Sequence, residues 1–275
     1  MGRNSGWIRA VALCLAVGAL ASCGADRRVT YSGGTLEPVV AADEKRGREL
    51  AVEGMRLLKD ADSVRIGVET AAAAGRRKVS LHMDRDSNCT GTFDSGPTQR
   101  GDLVIISGDA TYVRFSDRAL DEMLDMGARR GPTVAARVRE RAALARGKYL
   151  KIPTGSAARG PAVPLGNCDL DRFTGAMPGA PDADDSFKAL PETRRYGTRV
   201  VPVVESTADQ ETTLYVAARG KPYVLGVRVA EGGGDGAMTM RFSGYDEPVA
   251  ARAPAPARTL DISEVGSGGG SLFEV

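Results

Sequence analysis

The chain has 275 residues with 37 Lys and Arg against 35 Asp and Glu, a formal net charge of +2. So even a balance argues against nucleic-acid binding, which needs a concentrated basic face. Apolar residues make up 42% and aromatic ones only 5%, so a sizeable core must be built from Val, Leu, Ile, Ala and Met.

At the start, Arg3 and Arg9 precede an apolar run from Val11 to Leu20, followed by the small residues Ala21 and Ser22. A basic stretch, a short apolar stretch and small residues describe a secretory signal peptide, too short to span a bilayer as a mature helix. Leu20-Ala21-Ser22-Cys23 resembles the lipobox of bacterial lipoproteins. That resemblance implies diacylation of Cys23 as the new N-terminus and a domain held at the extracytoplasmic face of the cell membrane. The alternative is an ordinary signal peptide in which the cysteine stands by chance. The expected layout is a leader over 1–22, a flexible tether over 23–42, one domain over 43–265 and a Gly-rich tail over 266–275. Of the four cysteines, Cys14 leaves with the leader and Cys23 carries the anchor. Cys89 and Cys168 remain in an oxidising space, where a disulfide between them is expected. Two buried free thiols are the alternative.

Along the chain, a helix is expected from Asp43 to Lys59, with Leu50, Met55, Leu57 and Leu58 on its apolar side. The period then changes to two. Val64, Ile66 and Val68 alternate with polar or small residues, as do Val79, Leu81 and Met83, which marks strands with one buried face. Asn88–Phe93 reads as a third strand, and Leu103–Ile106 with Thr111–Phe115 as a hairpin around Ser107-Gly108-Asp109. Helical signals return at Asp117–Met126 and Thr133–Ala145, the second with Pro132 near its start. A short strand at Lys148–Ile152, a loop at Gly155–Asn167 and one helical turn at Asp169–Phe173 follow. The last part is again strands: Thr198–Val204, Thr212–Ala218, a strand sharing Leu225, Val227 and Val229 on one face, and one alternating Met238, Met240 and Phe242. Strands at hairpin spacing, interrupted by helices, argue for an antiparallel sheet and the α+β class.

Little in the sequence points to catalysis. His82 is the one histidine, at an outward strand position, and reads as a solvated surface residue. A Ser-His-Asp or Cys-His arrangement therefore has no support, and no nucleophile elbow, zinc-protease or phosphate-loop motif is present. Asp182, Asp184 and Asp185 read as a solvated acidic loop rather than a calcium site. No enzyme activity, cofactor or metal is expected. What stands out is apolar strand surface rich in Met, which suits irregular or flexible apolar ligands. An ordinary packed core is the simpler explanation for it.

In several short segments the chain resembles the LppX/LprG type of bacterial lipoprotein, with a LolA-like fold. They include Asn88-Cys89-Thr90-Gly91-Thr92, Gly147-Lys148-Tyr149-Leu150-Lys151 and Gly220-Lys221-Pro222-Tyr223-Val224-Leu225, together with Met240-Arg241-Phe242-Ser243-Gly244-Tyr245 and the lipobox. The resemblance implies a curved antiparallel half-barrel with helices across its concave face. It also implies an apolar cavity for an acylated lipid or glycolipid and no catalytic residues, and a monomer is expected. Alternation would draw the cavity wall from Ile66, Val68, Leu81, Met83, Leu225, Val227, Met238, Met240 and Phe242. The gate is expected among Asp117–Ala145 and Gly155–Asn167. The Arg- and Ala-rich stretch Arg129–Arg146 is more charged than the resemblance leads one to expect. The competing expectation is a surface module with a filled core that senses or scaffolds.

Overall fold

The computed structural model describes residues 37–72, 75–153, 168–177, 185–207, 210–231 and 237–262. The leader, Cys23, most of the tether, the loop 155–167 and the tail lie outside them. In chain order come α1 (Glu37–Asp60), β1 (Ser63–Ala72), β2 (Gly75–Asp84), β3 (Cys89–Asp94), β4 (Arg100–Ile106) and β5 (Ala110–Phe115). Helices α2 (Asp117–Arg129) and α3 (Pro132–Ala145) follow, then β6 (Tyr149–Pro153) and the short helix α4 (Leu170–Gly175). The rest is β7 (Phe187–Ala189), β8 (Thr193–Arg195), β9 (Thr198–Ser206), β10 (Gln210–Ala217), β11 (Val224–Glu231), β12 (Ala237–Ser243) and β13 (Thr259–Asp261). The class is α+β with predominantly antiparallel pairing, as the sequence pattern predicts.

The chain divides into two compact units. One comprises Ala61–Phe173 and the segment from Asp235 onward. Its strands run in the order β13-β6-β5-β4-β3-β2-β1-β12. Neighbours are antiparallel except for β13, which adds to β6 in parallel. The β4–β5 hairpin turns at Gly108, whose φ of +75° is open to glycine at no steric cost. Ser116 caps α2 by accepting the amide of Ala119 at 3.2 Å. Pro132 opens α3, where a missing amide hydrogen costs nothing. The two helices meet at Gly127, where a Cβ would stand 3.0 Å from the side chain of Val138, so a larger residue would have to push Val138 back by a few tenths of an ångström.

The other unit joins the segment ending at Asp60 to Thr174–Gly234. Its strands run β11-β10-β9-β7, with β8 also paired to β9. Val203, Leu214 and Val227 face each other across three strands and are buried, as are Val201, Val216 and Val224. Helix α1 covers this apolar side: Gly54 lies against Val216 and Val224, and Gly47 against the backbone of Phe187. The helix begins at Glu37, six residues ahead of the expected start at Asp43. Pro38 falls in its first turn, where proline is compatible with a helix. A second difference concerns Leu225. The β10–β11 register shifts between Tyr215 and Val216, placing Gly226 opposite the first and Val224 opposite the second. Leu225 is the extra residue of this bulge and is only half-buried, whereas Val224 takes the core position.

Candidate functional site

Residues directly opposite in antiparallel strands point to one side of the sheet. The register in the first unit therefore lays out continuous apolar rows. Phe242, Ile66, Leu81, Gly91, Leu103, Val113 and Leu150 form one row across seven strands. Gly91 interrupts it because a Cβ there would run into the carbonyl oxygen of Ser80. Met240, Val68, Val79 and Phe93 form the next row, and Val64, Met83, Cys89 and Ile105 the one on the other side. Seven of the nine residues expected to line a cavity thus share this face: Ile66, Val68, Leu81, Met83, Met238, Met240 and Phe242. Leu225 and Val227 belong to the other unit.

Burial grades along the face. Ile66, Leu81, Met83, Met240 and Phe242 are at most 5% exposed, so protein atoms already surround them. Val68, Val79 and Met238, toward the turn end of the β1–β2 hairpin, are half-buried. The three form a small solvent-reachable apolar patch that runs without a break into the buried rows.

Helix α4 adds residues that the alternation pattern could not supply. Asp169 accepts the amide of Arg172 at 2.9 Å and so caps the helix start. Leu170 is fully buried, and the ring of Phe173 stands 6.4 Å from that of Phe242. The helix is fastened to the strands twice. Cys168, just before it, forms a disulfide with Cys89 on β3, the Cα atoms 5.6 Å apart. Asp171 pairs with Arg85. The one signal in the sequence for this attachment is Cys168-Asp169, a bridging cysteine followed by a capping aspartate.

The expected gate is placed only in part. Helix α2 buries Ala119, Leu120, Met123 and Gly127, touches β4 and packs along α3. The loop 155–167 lies outside the described residues, as does Cys23.

His82 differs from the expectation of a solvated residue. Alternation puts it on the side away from Leu81 and Met83, yet it is only 3% exposed. The turn around Asp246 covers it: Asp246 donates its amide to Ser63 O at 3.0 Å, and its carboxylate accepts the amide of Asp62 at 2.9 Å. Nε2 of His82 is buried with no hydrogen-bond partner among the described residues. Burial lowers its pKa, and the charge of Arg65 lowers it further, against the raising effects of the Glu247 backbone and of the Glu247 and Asp84 carboxylates. Asp185 is likewise buried rather than solvated, and its carbonyl accepts from Arg48.

No protein-family model and no curated protein matches the chain. Solved structures do. The Mycobacterium tuberculosis lipoprotein LppX is 11% identical with a TM-score of 0.46, covering 76% of this chain and 100% of its own. LprF from Mycobacterium bovis is 11% identical with a TM-score of 0.49, over 77% and 98%. The LolA superfamily protein NE2245 from Nitrosomonas europaea is 9% identical with a TM-score of 0.24, over 73% and 91%.

Proposed function

We propose that the protein is a lipid-anchored, extracytoplasmic lipoprotein that takes the acyl chains of a lipid or glycolipid onto the apolar face of its first unit. The observation that carries this reading is the unbroken passage from the half-buried Val68, Val79 and Met238 to the buried Ile66, Leu81 and Phe242. An acyl chain entering at the first three would slide along rows of side chains that already point one way. Flexible Met83, Met238 and Met240 can repack around it.

The energetics suit a carrier without a fuel. A 16-carbon chain leaving water gains about 12 kcal/mol at ~0.8 kcal/mol per methylene. A membrane provides the same gain, so moving the chain between membrane and protein is close to neutral. Parting the packed side chains over the face is then a net cost of loading, and the carrier reading requires that cost to be small. No catalytic step is invoked.

The burial of Ile66, Leu81, Met83, Met240 and Phe242 favours a second reading, in which the interior stays filled and the protein is an anchored interaction module. Native mass spectrometry of the protein purified in a mild detergent separates the two. The carrier reading expects a non-covalent lipid adduct that is lost when Val68 and Met238 are both changed to Asp. Adduct-free protein, from cells and after incubation with the total lipid extract, would leave the filled module.

A further inference from the structure

Helices α2 and α3 end and begin in a run of charge that lipid carriage does not use. Residues 129–146 hold six arginines and one carboxylate, Glu140, whereas the whole chain has a net charge of only +2. Arg146 is tied back to Asp117 and Asp121, at 3.4 and 2.6 Å, which clamps the far end of the hairpin. Arg129, Arg130, Arg137 and Arg139 are all exposed, and none of them has an ion pair with another described residue. Four cations on one helical hairpin repel each other, and, apart from Glu140, the carboxylates of the hairpin stand on α2 (Asp117, Asp121, Glu122 and Asp125).

The outward side of α3 carries small apolar residues with Glu140 among them. Val138, Ala142 and Ala145 turn toward the packed side, with Ala142 and Ala145 buried. Ala136, Ala143 and Leu144 are exposed, and Leu144 is one of two large apolar side chains exposed among the described residues. Exposed arginines clustered on one helical hairpin are drawn to the negative surface of an anionic bilayer. Arginine suits this role because its planar guanidinium bonds phosphate oxygens in pairs.

We propose that the α2–α3 hairpin docks on the phosphodiester headgroups of an anionic membrane through Arg129, Arg130, Arg137 and Arg139. The choice of a membrane over another polyanion rests on the anchored reading above, since an acylated Cys23 keeps the hairpin beside headgroups. Docking there would hold the molecule in one orientation while its anchor alone would leave it free to tumble. Attraction of this kind falls within a Debye length, so it is strongly dependent on salt.

The test mixes the purified, naturally processed protein with vesicles and follows hydrogen exchange in peptides covering 129–146. The vesicles are phosphatidylcholine alone or with about one-third phosphatidylglycerol. Expected is a several-fold slowing of exchange in these peptides on the anionic vesicles at low salt, absent on neutral vesicles and lost in half-molar salt. The R129Q/R130Q/R137Q/R139Q variant, whose changes are all at exposed positions, should melt like the wild type and lose the protection. Equal protection on both vesicle types, none on either, or unchanged protection in the variant overturns the proposal. Because the readout is local to the hairpin, it is independent of any bound lipid: hairpin protection in a protein with no lipid adduct sinks the carrier reading alone.

Discussion

At the scale of single residues, His82 shows what alternation tells and what it leaves out. A period of two places it on the side of β2 opposite Leu81 and Met83, and there it is. That side is not open water, because a turn more than 160 positions along the chain returns over it, and the strand's own sequence cannot announce that. The consequence is a pH dependence. The folded pKa of His82 is lowered, by burial first and by Arg65 second, so folding favours the neutral ring. Its contribution to stability is therefore complete above the unfolded pKa of about 6.5. As pH falls through that value the unfolded chain takes up a proton that the folded one resists, and stability is lost down to the lowered folded pKa. Denaturant melts between pH 7.5 and 5 should show this loss, and His82→Gln should flatten the curve in that window. A curve of unchanged slope in the variant would remove His82 from the explanation.

At the scale of elements, the strands were the most legible part of the chain. Val64-Ile66-Val68 and Met238-Met240-Phe242 have only one way to bury their apolar sides, so register follows from pattern. The short strands β7, β8 and β13 were not legible, since three residues carry no period. The bulge at Leu225 was hidden for a different reason: Val224 and Leu225 are both apolar, and either fits the core position. Helix α4 was visible as one turn, but its place against Phe242 depends on a bridge that closes between residues 79 apart. On the chain-entropy account a loop of that size stabilises by about 4 kcal/mol. The disulfide also holds α4, too short to persist as an isolated helix, over the apolar rows. Cys89→Ser/Cys168→Ser, or reduction of the wild type, should lower the melting temperature by ten degrees or more. At temperatures where the sheet survives, it should also increase binding of an apolar dye. Loss of stability without new dye binding would mean that α4 stays in place without its tie.

At the scale of the whole molecule, the apolar face and the anchor depend on each other. A carrier that trades acyl chains with a membrane at nearly equal free energy gains nothing from tight binding; it gains from proximity. No helix among the described residues is long and apolar enough to cross a membrane, so a bilayer-spanning helix among them cannot supply that proximity. The proposed source is Cys23. One acyl chain gives only marginal, reversible attachment, whereas two or more hold a protein in place. A diacylated cysteine meets that condition, and attachment then survives the salt that dissolves an arginine-based contact. The two forms of attachment are thus separable. Cells fed labelled palmitate should yield a labelled wild-type protein that stays with membranes after a half-molar salt wash. Cys23→Ser should incorporate no label, whereas the R129Q/R130Q/R137Q/R139Q variant should be labelled like the wild type and stay with the membranes. An unlabelled wild-type protein would end the lipoprotein reading and, with it, the reason for placing the apolar face beside a bilayer.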